Sequence, residues 1–138
     1  MAVQFAIIPV LVMGLILAFL EIMFVHSDEA GMGWLKHATH AIPTMLIFIF
    51  ISMNIDYVCG LLNFTPSLWI TIGIRVVIGI IAAIKISAAA AVAGKVGEKL
   101  PHTLVIAVLV MAAPFIWEMA LCAIPFVKSL PYAGCPVV

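Results

Sequence analysis

Residues 68–93 read LWITIGIRVVIGIIAAIKISAAAAVA, a run without Pro, Asp or Glu whose charges are Arg75 and Lys85 alone. A helix needs about 20 apolar residues to cross roughly 30 Å of hydrocarbon, and this run is long enough. At about 100° per residue, Thr71, Arg75, Gly79, Ala82, Ala89 and Ala93 fall on one face. Small residues let helix backbones approach closely in lipid. That face therefore reads as the packed centre of a bundle or as a seam between copies.

The rest of the chain has the same character. Of 138 residues, 67% are hydrophobic and 9% charged, and the mean hydropathy is +1.36. A soluble domain carries roughly a quarter charged residues. Nucleic-acid binding, a soluble enzyme core and intrinsic disorder are excluded, and no enzyme activity is expected. Four apolar stretches, at about 5–25, 40–61, 68–93 and 103–127, nearly exhaust the length. The expected fold is all-α, a single polytopic bundle of four transmembrane helices with no extramembrane domain.

The connections carry helix breakers, such as Gly31-Met32-Gly33, Asn63-Phe64-Thr65-Pro66-Ser67 and Gly94 with Gly97 and Pro101. Ser27 or Asp28 is a candidate cap for the second span and Ser67 for the third. The first stretch lacks a basic leader and is longer than a signal core, so it is expected to stay as a membrane helix. Lys36, Lys95 and Lys99 lie on one side, against Lys128 on the other. The positive-inside rule places the lysine-rich connections in the cytoplasm and both termini outside the cell membrane. Asn63-Phe64-Thr65 matches a glycosylation acceptor on the outer side, although Pro66 follows it. Cys59 and Cys135 fall toward that side and are candidates for a disulfide, while Cys59 and Cys122 also suit plain packing.

Five charges fall inside the spans: Glu21, Asp56, Arg75, Lys85 and Glu118. Each costs roughly 2.5–3.5 kcal/mol at a helix centre. They must lie near interfaces, pair with one another or line water. In a helical hairpin, residues equidistant from the turn are level. Asp56 and Arg75 are level across the second connection, and Glu118 is about 4.5 Å from that level across the third. The three form an expected outer cluster. Glu21 and Lys85 are level in the inner half and form an expected pair if the first and third spans are adjacent. On the fourth span, Pro114 and Pro125 share the Glu118 face and suggest a kink. The charges read as a registry network, as contacts to another subunit, or as a proton or ion path.

Around the first connection stand Glu21, His26, His37 and His40, with His102 on the same side. His37 and His40 project from one side of a helix, and with a carboxylate they suit zinc, copper or iron. The same residues also suit an interfacial polar belt with Trp34 and Lys36, or a protonation switch. No nucleophilic or phosphate-binding motif appears.

The block His26-Ser27-Asp28-Glu29, then Gly33-Trp34, His37 and His40-Ala41 before a long apolar helix, resembles small four-helix membrane proteins of archaea. The resemblance implies the fold and no activity. The functional expectation is a homo-oligomeric channel or transporter-like protein moving protons or small ions. The alternatives are a non-transporting subunit of a larger membrane assembly and a metal-binding membrane protein.

Overall fold

A computed structural model describes residues 6–28, 34–92, 99–130 and 135, with backbone alone for residues 28, 36, 37 and 89–92. Every regular element among the described residues is helical: α1 (Ile7–Asp28), α2 (Trp34–Met53), α3 (Ile55–Leu61), α4 (Leu68–Val92), α5 (Leu100–Ile116), a π-turn (Trp117–Leu121) and α6 (Pro125–Lys128). Three helical stretches, in α1, in α4 and in α5 with its π-turn, are long and apolar enough to cross a membrane. The bent pair α2 and α3 counts as a fourth if it is one span.

The helices pack as two antiparallel hairpins, α1 on α2 and α4 on α5, joined where α2 meets α5. α1 also touches α5, and α4 touches α2, so α2 and α5 form the central pair. The core runs from Val10, Met13 and Leu17 through Met45 and Ile49 to Ile78, Ile106, Val110 and Trp117. Ala6, α3 and the π-turn lie at one end, termed upper; the end of α1 and the start of α5 lie at the other, termed lower.

Two glycines set the helix spacing. A Cβ on Gly14 would come within 2.7 Å of Leu46 Cδ2, and one on Gly79 within 2.5 Å of Met111 Cγ. Without side chains there, α1 closes on α2 and α4 on α5. The α4 stripe Gly79, Ala82 and Ile86 is buried. The small-residue face, over its described side chains, therefore serves contacts within the chain.

The sequence places the second span at 40–61, but the helix starts at Trp34 and breaks at Asn54, where α3 turns 82° away from α2. Asn54, with φ −120° and ψ 37°, leaves helical geometry. Its Nδ2 donates to the Phe50 carbonyl at 3.0 Å, and its Oδ1 accepts from the Ala6 amide at 2.9 Å. Asn side chains compete for backbone groups in this way, which disfavours them inside helices. The bond to Ala6 also satisfies an amide that the start of α1 would leave unpaired. Ser27, a candidate cap for the second span, instead donates to Phe24 O at 2.8 Å in the last turn of α1. Asn63, at φ 54°, supplies the left-handed turn leading to α4, a conformation Asn tolerates better than most residues.

The fourth stretch, expected over 103–127, starts at Leu100 and breaks after Leu121. Pro114 has no N–H for the carbonyl four residues earlier, that of Val110. Ser52 of α2 donates its Oγ to that carbonyl at 2.8 Å, wholly buried. Beyond the proline the chain widens into the π-turn, closed by the Cys122 amide on the Trp117 carbonyl at 2.9 Å. Pro125 falls outside this kink and opens α6, a position proline suits.

Candidate functional site

Arg75 is the centre of the upper-end site. It lies one helical turn before Gly79, so the close approach of α4 to α5 carries its side chain onto α5. The guanidinium carbon sits 5.1 Å from the Phe115 ring centroid, within cation–π range. The same register sets Gly79 against Met111 and Arg75 against Phe115, four residues along each antiparallel helix. Arg75 is half-buried, and its Nε is buried without a hydrogen-bond partner. The charges of Glu118 and Asp56 act on it.

Glu118 reaches this place from the π-turn, and Asp56 from the first turn of α3. Both carboxylates are exposed. The wider turn after Ile116 shifts the side-chain register. Pro114, expected on the Glu118 face, is buried while Glu118 faces out. The upper-end site is thus an arginine held by an aromatic ring and attracted by two accessible acids.

The lower end differs from the sequence expectation. Glu21 is 6% exposed and its Oε2 has no hydrogen-bond partner, whereas Lys85 is exposed. The expected Glu21–Lys85 pair does not form. The reason is topological: α1 packs on α2 and α5, so Lys85 on the opposite flank turns outward. Thr103 near the start of α5 is 1% exposed, and its Oγ1 is also without a partner. Neither Thr103 nor Ser52 carries a signal in the sequence, since a lone hydroxyl in an apolar run is silent about its partner.

The histidines disperse. His26 lies 4.6 Å from the Trp34 ring, His102 stacks on Phe24 at 4.4 Å, and His40 is exposed. Among the described residues no group of three or more His, Cys, Asp or Glu comes together to hold a metal ion. The side chains of Asp28, Lys36 and His37 lie outside the described residues, as do Glu29 and Lys95.

The disulfide joins Cys122 to Cys135, with a Cα separation of 5.5 Å, and not Cys59 to Cys135. Cys59 is a free thiol buried on the inner face of α3 with Ile55. The bend at Asn54 turns Cys59 into the fold, whereas Cys122 follows the π-turn at the point to which the tail returns.

Compared with protein-family models, curated proteins and solved structures, the chain matches none.

Proposed function

We propose that the chain is a four-helix transmembrane bundle that moves protons or small ions, working as a homo-oligomer in the cell membrane. The observation that carries this reading is the Arg75 site. A cation half-buried on Phe115, with a buried Nε lacking a partner and two exposed carboxylates attracting it, is costly to keep in an apolar helix. A registry network would be expected to close its hydrogen bonds. An arginine with an open donor and alternative acids suits a group that changes partners as an ion passes.

The bent α2–α3 pair then forms the second span and its turn at the membrane surface. Disulfides persist in oxidising compartments, so the Cys122–Cys135 end faces outward. The lysine distribution points the same way. Most of α4 is exposed, including Val76, Val77, Ile80, Ile81 and Ile84. This apolar face suits lipid or a second copy.

Reconstituted in liposomes, the protein is expected to pass protons or small ions, and Glu118→Gln to abolish the flux. Flux equal to that of empty liposomes would overturn the reading. The same exposed α4 face favours a second reading, an accessory subunit of a larger membrane assembly. There Glu118→Gln would disturb co-purification of a partner and leave liposome flux at background throughout.

A further inference from the structure

We propose that Glu21 is the proton-binding group of the lower half, and that the species moved is the proton rather than a metal cation. This rests on the translocation reading above and names its substrate. Glu21 lies on the α1 stripe that begins at Gly14 and Leu17 and ends at Phe24. Gly14 meets Leu46 of α2 and Phe24 stacks on His102 of α5, so the stripe faces the interior between those helices. Thr103 lies on the buried α5 stripe with Ile106 and Val110, in the same lower half. Two polar atoms, Glu21 Oε2 and Thr103 Oγ1, are thus buried there without partners.

Among the described side chains, none sets a cation on Glu21 Oε2. From α5, His102 is engaged with Phe24 and Lys99 is exposed; from α2, His40 is exposed; on the far flank Lys85 is exposed. An isolated carboxylate in an apolar interior is far more costly than the neutral acid, which behaves as an ordinary polar group. A hard metal cation needs about six oxygen ligands, and one carboxyl with one hydroxyl falls well short. A proton needs a single lone pair, and the Thr103 hydroxyl can both accept and donate as it passes.

The test begins with the wild-type protein in liposomes, treated with an apolar carbodiimide. The acid O–H adds across one C=N bond, and acyl transfer to nitrogen leaves a stable N-acylurea, with no other reagent needed. Peptide mapping is expected to find the adduct on Glu21, and proton flux to stop as it accumulates. Glu21 left unmodified would overturn the proposal. So would flux of sodium or potassium without protons, although that result would leave translocation standing. A labelled Glu21 in a protein that moves no ion would instead overturn translocation, and with it the proton as cargo. Glu21→Gln, close in shape, is expected to lose both adduct and proton flux.

Discussion

Ser52 Oγ donates a 2.8 Å hydrogen bond to the carbonyl of Val110, the acceptor that Pro114 leaves without its helical donor. The bond ties the central helices α2 and α5 at full burial. It also lets a proline sit in a buried helix just before the turn that carries Glu118.

Removing that donor strands a buried carbonyl. Ser52→Ala is expected to destabilise the fold by about 1–3 kcal/mol. Restoring the backbone donor should cancel most of this, so Ser52→Ala should cost much less in a Pro114→Ala background. A double-mutant cycle by chemical or thermal unfolding in detergent measures the coupling. Equal costs in both backgrounds would show that the hydrogen bond is not serving the proline.

Gly79 and Gly73 make a controlled pair on α4. A Cβ at Gly79 meets Met111 Cγ at 2.5 Å and Sδ at 2.8 Å, whereas at Gly73 nothing lies within 4 Å. Gly79→Ala is expected to cost about 1–3 kcal/mol through overpacking, softened if the Met111 side chain swings aside. Gly73→Ala should be neutral or slightly stabilising, as Ala is the better helix former. Met111→Ala should relieve the Gly79→Ala penalty. Unfolding midpoints of the three variants and the double variant decide the matter.

The disulfide closes a segment with a sequence separation of 13 between Cys122 and Cys135. By the loop-entropy estimate such a closure contributes roughly 3 kcal/mol. Cys135→Ser should lower the unfolding midpoint accordingly. A membrane-impermeant thiol reagent should label wild-type protein only after reduction, at Cys122 and Cys135. Cys59, 5% exposed, should resist labelling until the protein unfolds. Labelling of Cys135 before reduction would contradict the bond.

The helical class was legible because an apolar run such as 68–93 needs only length and hydropathy to be read. Counting residues about a turn gives an expected level for Asp56, Arg75 and Glu118, and such counting holds only while helices are continuous. Counting failed where backbone chemistry intervened. Asn54 turned the second stretch aside, and the π-turn after Pro114 rotated Glu118 away from the stripe it was assigned. Level is also not adjacency: Glu21 and Lys85 were matched in depth, but nothing in either residue says that α1 and α4 take opposite flanks. The Cys122 pairing depended on the same break in α5, which carries little local signal beyond its prolines.

The two acids near Arg75 are not equivalent. Glu118 stands on the turn that follows the Phe115 platform, next to the ring that holds the guanidinium, whereas Asp56 comes from α3, beyond the bend at Asn54. Glu118→Gln is therefore expected to stop liposome flux, and Asp56→Asn to reduce it and leave a measurable remainder. Arg75→Lys keeps the charge and loses the planar group that stacks on Phe115, so it should fall between wild type and Arg75→Gln. Phe115→Leu should resemble Arg75→Lys, because it removes the ring and keeps the bulk. Flux ranked in that order, with protein levels in the membrane unchanged, would tie transport to the guanidinium's exchange between carboxylates. Asp56→Asn as severe as Glu118→Gln would show that the acids act as one fixed pair.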